Sequence, residues 1–274
     1  MRFNRDQFNS KRFFTLVLLF GGVAALMLFT KPKSDQMSTA RPFSVYDLHL
    51  TARNAQGSFI LNGISIGYHK AGDTEQESII ALTPWLKNGK NTLFVTTSKP
   101  NSKSPPDLLA EMVVTLKDGG VKREKLFHIK QASSDKAVFQ VKGLPLWQWL
   151  EGLATFHDSH EIKSAVEKLH AAFVAKDMAV IGKIEAPLFQ DMELLTGREG
   201  LERRVYRQEI IKKGTVEPLR SLIIVPFDNG RIVRVTNKDG EAPIRVYYRY
   251  GNGGKVILTG QFWSKINGTW HVVR

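Results

Sequence analysis

The 274 residues include no cysteine, so any chemistry the chain performs falls to carboxylates, imidazoles and hydroxyls. That absence removes thiolate nucleophiles, disulfides and cysteine-based zinc sites. Gly63-Ile64-Ser65-Ile66-Gly67 has the letters of a G-x-S-x-G nucleophile elbow. An elbow needs a helix after the serine, whereas the alternation Ile64, Ile66, Tyr68 continues a strand. His157 and His160 have the spacing to share a metal on one helix face, but no third ligand accompanies them. We therefore expect neither metal nor cofactor. Acid–base candidates are Asp177, Asp191, Glu193 and Glu209 on helical stretches, and His271 on a strand. Asn267-Gly268-Thr269 is formally a glycosylation sequon, and a hairpin turn explains it.

The elements that must position these groups change period once. From Phe43 to Gly143 apolar residues alternate, with turn residues every 8 to 15 positions or so. Eight strands are expected: 45–52, 58–61, 64–69, 77–82, 92–97, 111–116, 123–130 and 137–142. Asn62-Gly63 and Asp118-Gly119 supply turns with positive φ. Eight short strands without helices predict an all-β sandwich. Residues 144–157, with Trp147 and Trp149, read as an inter-domain hinge, where tryptophans bury large apolar areas.

From 158 to 274 the pattern is three helices and then a sheet. Asp158 and Glu161 have capping-box spacing, opening a helix with Ile162, Val166, Leu169 and Phe173 on one face. A second helix runs from Met178 to Leu195, bent or broken at Pro187 and stopped by Gly197; a third, Glu199 to Lys213, ends at Gly214. Period two then returns to the end, punctuated by Asn229-Gly230, Gly251 to Gly254 and Asn267-Gly268. The expected fold class is α+β: a transmembrane helix, a β-sandwich, then three helices packed on a curved antiparallel sheet.

A four-residue loop at Gly251 to Gly254 would place Tyr250 opposite Lys255, and the two-residue loop at Asn267-Gly268 pairs Ile266 with Thr269. One face of a single sheet then carries Ile244, Val246, Tyr248, Ile257, Thr259, Gln261, Trp263, Trp270 and Val272. Against the helices it would form a pocket whose candidates are Tyr248, Thr259, Gln261 and Trp263, with Asp191 near Tyr206 if the helices pack suitably. The other face, with Arg245, Tyr247, Arg249, Leu258 and Phe262, mixes arginine and aromatic side chains as interfaces do. It is expected to meet a second copy, an envelope partner or the neighbouring domain. A single error in loop length would exchange the two faces.

Location is the sharpest expectation. Residues 1–12 are basic, 13–30 form an uncharged run of 18 residues, and 31–42 form a linker that begins with Lys31 and Lys33. Eighteen residues rise about 27 Å as a helix, enough for a thin bilayer. The run is longer than the apolar core of a cleaved signal peptide, so an uncleaved anchor is expected. Its leading positive charge puts the amino terminus in the cytoplasm and the bulk in the periplasm. A formal net charge of +13 favours anionic surfaces, lipid headgroups or acidic glycans; no aromatic RNA-binding signature accompanies it.

Two resemblances extend this reading. Phe59-Ile60-Leu61-Asn62-Gly63 and, about twenty residues on, Leu82 to Leu93 resemble paired turns of the galactose-binding-like jelly rolls, which implies a jelly-roll sandwich and glycan binding as one role. The element order after 158, Phe173 to Asp177 closing the first helix, and Asn267-Gly268-Thr269-Trp270 in the last hairpin resemble the cone-shaped nuclear-transport-factor-two-like fold. That superfamily holds isomerases, cyclases and hydrolases beside non-enzymatic envelope domains. Within it the periplasmic component of type IV secretion systems also follows a single anchor, though without an intervening jelly roll, so the likeness is architectural. The expected function is a membrane-anchored, non-catalytic binding or scaffold protein of the bacterial envelope, in an envelope or secretion assembly. Its rival is a small-ligand binder or an isomerase- or hydratase-type enzyme using the cone pocket.

Overall fold

The computed structural model describes residues 42–98, 104–152, 159–250 and 253–274, and omits the side chains of 198, 250, 253 and 255–258. The expected basic segment, the anchor and the linker up to 41 lie outside the described residues, as do His157 and Asp158. No helix among the described residues is long and apolar enough to cross a membrane.

The fold is α+β. Eight strands come first: β1 (Val45–Arg53), β2 (Gln56–Leu61), β3 (Ile64–Lys70), β4 (Gln76–Ala81), β5 (Gly89–Ser98), β6 (Asp107–Thr115), β7 (Val121–Ile129) and β8 (Ser133–Val141). Helices α1 (Ser159–Ala175), α2 (Met178–Thr196) and α3 (Arg198–Lys213) follow. The chain continues as β9 (Thr215–Val216), β10 (Leu222–Phe227), β11 (Ile232–Asn237), β12 (Arg245–Tyr250), β13 (Gly253–Leu258), β14 (Phe262–Ile266) and β15 (Thr269–Val272). The strands form sheets ordered β4-β1-β6-β7, β3-β2-β5-β8, β10-β11-β14-β15 and β13-β12-β9. The expected single sheet after the helices is therefore two.

Two compact units group the chain. One holds the described residues of 1–58, 67–83 and 95–137; the other holds 59–66, 84–94 and 138–274. The division does not fall at Gly143, because the β2–β3 turn and the segment from Pro84 to Phe94 group with the helices. In the first unit β1 buries Leu48, Leu50 and Ala52 at alternate positions, and β6 buries Leu108, Ala110 and Met112. This is the period-two pattern of strands with one dry face.

In the second unit the helices form because each carries its own start and stop. Lys176 takes positive φ at the end of α1, and Asp177 caps α2 by accepting from Ala179 N and Val180 N, both at 3.1 Å. Lys176 also reaches the end of α3, donating through Nζ to Ile211 O at 2.8 Å and to Gly214 O, where a cation suits the helix dipole. Ile162, Val166, Leu169 and Phe173 of α1 meet Ile181 and Ile184 of α2 and Val233, Val235, Val246, Trp263 and Val272 of the sheets in one core. Helix α2 runs through Pro187 unbroken. A proline cannot donate to the carbonyl four residues back, here Lys183 O. His271 Nδ1 of β15 lies 3.2 Å from that oxygen and supplies the missing proton.

The same unit is tied together by a buried guanidinium. Arg274 is 3% exposed and Asp191 of α2 is fully buried, with Nη1 to Oδ2 at 2.5 Å. Arg274 Nη2 also donates to Pro84 O at 2.9 Å, and Gln148 N donates to Asp191 Oδ1 at 3.1 Å. Trp147 and Trp149 donate through Nε1 to Leu86 O and Pro84 O at 2.8 and 3.1 Å. The Arg274 guanidinium stands 5.8 Å from the Trp85 ring centre and 5.5 Å from that of Trp147, within cation–π range. Gly260 allows the close approach, since a Cβ there would lie 2.2 Å from Arg274 O.

Removing one partner of a buried pair leaves an uncompensated charge, so Arg274→Met should cost about 3–5 kcal/mol. The double variant Asp191→Asn with Arg274→Met keeps an acceptor for Gln148 and strands no charge. It should be the more stable of the two in chemical denaturation followed by tryptophan fluorescence; a double variant worse than the single would refute the charge argument.

Candidate functional site

Each acid–base candidate among the described residues is held in a structural bond. Asp177 caps a helix, Asp191 pairs with Arg274, and Glu193 meets Arg204 at 3.5 Å. Glu209 lies on the surface, where the hydrogen bond and charge of Lys212 hold its carboxyl below the usual range. His271 repairs the Pro187 gap, and burial pushes its pKa down. Ser65 lies within β3, so Gly63 to Gly67 is a hairpin turn running into a strand. Among the described residues no group of three metal-ligating side chains comes together.

The inferred pocket residues line neither of two grooves that the described residues form. Trp263 is fully buried in the core of the helical unit, and its Nε1 has no partner there. Thr259 closes the strand end, its N donating to Ile244 O at 3.1 Å. Gln261 accepts from Arg234 Nε at 3.0 Å, while its backbone oxygen accepts from Val235 N. Tyr248 is half-buried on β12. Asp191 and Tyr206 do not share a cavity: the first is fully buried and the second is 53% exposed.

The interface candidates divide. Tyr247 and Arg249 are exposed on β12. Arg245 is engaged with Glu241 and Glu217, and the side chain of Leu258 lies outside the described set. Phe262 requires a correction, because it is buried at 6% exposure under Trp85, with ring centres 4.8 Å apart edge to face. The face of β14 that looked too apolar for water is covered by the chain's own tryptophan. The inferred register also needs one. The β12–β13 loop has two residues, so Tyr250 pairs with Gly253 and Val246 with Ile257. The slip is even, so the faces of β12 stay as inferred: Val246 buried, Tyr247 exposed. Ile266 pairs with Thr269 as expected.

Open surface lies elsewhere. A groove of about 610 Å³ runs between α1, through Ser159, Lys163 and Glu167, and the β10 side, through Leu219, Leu222 and Ile224. Its volume is in the range of ligand-binding clefts. Strand β10 is the edge of its sheet. Val235, opposite Ile224, donates its N–H to Gln261 O at 2.7 Å on the far side of β11. In an antiparallel ladder such a pair points its polar groups away from each other. The N–H and C=O of Ile224, and by parity those of Leu222, therefore face the open edge. Pro226 shares that parity and has no N–H to offer, which is where an edge strand tolerates proline. Ile223 and Val225 are 45% and 40% exposed. This edge was legible in Leu222-Ile223-Ile224-Val225-Pro226-Phe227, since a proline inside a β-branched run marks an edge strand. A second groove, of about 410 Å³, has the polar lining of Arg53, Asp73, Asp107 and Lys130.

Comparison with protein families, characterised proteins and solved structures finds no match to this chain.

Two predictions follow from the histidines. If His271 replaces the donor lost at Pro187, His271→Ala should cost less in a Pro187→Ala background, where the helix regains its own N–H. A double-mutant cycle should return a coupling of about 0.5–1.5 kcal/mol; zero coupling would refute the repair. His69 is buried, with Nδ1 2.9 Å from Ser78 Oγ and no partner at Nε2, and burial lowers its pKa. A lowered folded pKa means that the unfolded chain takes up the proton first. Stability should be full above about 6.5 and fall as the pH drops below it. Thermal unfolding of the sheets by circular dichroism should lose this dependence, in part, in His69→Gln.

Proposed function

We propose that the chain is a non-catalytic binding or scaffold protein of the bacterial envelope, anchored by residues 13–30 with its bulk in the periplasm. The helices with β9 to β15 are read as a cone-type domain whose interior is a packed core rather than a reaction site. The observation that carries this reading is the groove beside the unpaired edge of β10. Unpaired N–H and C=O groups of Leu222 and Ile224, beside exposed Ile223 and Val225, suit an extended segment of a partner protein that adds one strand to the sheet. Backbone bonds would supply affinity, and the groove walls would select side chains. Pro226 limits the added strand to the Leu222 end, which also protects the edge from uncontrolled pairing.

The enzymatic alternative draws less support, because Thr259, Gln261 and Asp191 already spend their polar atoms on internal partners. Pairing through the Tyr247 and Arg249 surface retains a smaller basis, now that Phe262 is covered.

A photo-crosslinker at Ile223 in the intact envelope should yield a discrete adduct, and one at exposed Lys168 of α1 should not. The cross-linked segment, made as a peptide and added to the purified full chain, should protect the amides of Leu222 and Ile224 from hydrogen exchange. An adduct whose peptide leaves those amides unprotected would exclude strand addition.

A further inference from the structure

The first described residues enter the sheet at a defined end. β1 begins at Val45, which pairs with Thr115, the last residue of β6; Thr115 in turn pairs with Val121, the first of β7. The chain coming from the expected anchor thus reaches the sheet beside the turn that joins β6 to β7. That turn is built rather than loose: Leu116 N donates to Gly120 O at 2.7 Å, Gly119 N to Leu116 O at 3.0 Å, and Gly120 N to Asp118 Oδ1 at 3.0 Å. Gly119 takes φ +86, which a side chain would resist.

This turn and the start of β7 present Lys117, Lys122, Arg123 and Lys125 against Asp118 and Glu124. Arg123 meets Glu111 at 3.7 Å. Lys117, Lys122 and Lys125 have no ion-pair partner among the described residues. Between the lysines stands Val121, 59% exposed at the tip. An apolar tip flanked by long cationic side chains matches the headgroup layer of a membrane, where the stem buries and the ammonium snorkels. The opposite end of the sheet balances its charges, with Arg53 and Lys130 beside Asp73 and Asp107.

Tether length completes the argument. Eleven residues, Lys31 to Arg41, lie between the expected anchor and the described chain, and no chain of that length can span more than about 40 Å. The far end of β7, nine residues on, is about 30 Å along the strand from the near end. Surface potential decays within about a Debye length, so it would act most on the end of the sheet where the tether enters.

We propose that the β6–β7 hairpin rests on the anionic phospholipid headgroups of the membrane that holds the anchor, seating the first unit on the bilayer through Lys117, Lys122 and Val121. This rests on the anchored reading of residues 13–30 and adds to it a contact surface and its lipid chemistry.

The cysteine-free chain allows a direct test with the full-length protein in lipid nanodiscs. Asp118→Cys places a fluorophore at the near turn, and Gln131→Cys places one at the far turn between β7 and β8. Headgroup-nitroxide lipid in phosphatidylglycerol discs should quench the first several-fold more than the second. The contrast should vanish in phosphatidylcholine discs, in high salt, and in Lys117→Glu/Lys122→Glu, where each lost lysine lowers occupancy about five-fold. Equal quenching at both turns in phosphatidylglycerol, with the protein retained on the discs, overturns the hairpin contact alone. A contrast that ignores lipid charge and salt overturns the headgroup chemistry. Protein that salt washes off the discs overturns the anchor, and this placement with it.

Discussion

A guanidinium with almost no access to water is the constraint on which the helical unit turns. Burial lowers the pKa of Arg274 and the Asp191 carboxylate opposes that effect, so the charge is tolerable only with a counter-charge and acceptors around its terminal nitrogens, while its buried Nε has no partner among the described residues. Asp191 Oδ2, Val273 O and Pro84 O supply those acceptors. Fixing Arg274 on Pro84 fixes Trp85, and Trp85 then lies edge-on over Phe262. A sheet face that would otherwise have needed a partner is closed by a residue about 180 positions earlier in the chain.

That closure shapes the functional reading. Polar groups that would serve catalysis are consumed by architecture: a proline gap filled by an imidazole, a helix start by Asp177, a buried arginine by Asp191. Glu185, fully buried, is likewise spent on Arg207 at 2.6 Å. Among the described residues, backbone along β10 stays open beside a groove walled by α1. That open edge is the feature on which the proposed recognition role rests.

Much of the fold was legible because local signals agree. Helix ends were set by Asp177, Gly197 and Gly214, and the structure places α1 to α3 within a residue or so of the expected limits. Pro187 reads as a bend or a break; the helix is not broken there, and His271, 84 positions later, takes the orphaned carbonyl. The β12–β13 register slipped by two, since glycines in Gly251 to Gly254 can extend a strand as readily as turn it. The faces survived because strand side chains alternate with period two, and an even slip restores the parity.

Short-range physics therefore sufficed for the type of most elements, the limits of the helices and the faces of β12, β14 and β15, since periodicity, caps and turn residues act over a few positions; strand limits such as those of β6 and β8 were missed by about four residues. The same physics isolates the edge strand through Pro226. Only tertiary structure decided that Trp85 covers Phe262, that Asp191 meets Arg274 instead of Tyr206, and that the strands after the helices split into two sheets. Those outcomes depend on which distant groups compete for the same buried donor or apolar surface, and that competition is settled only when the chain is packed.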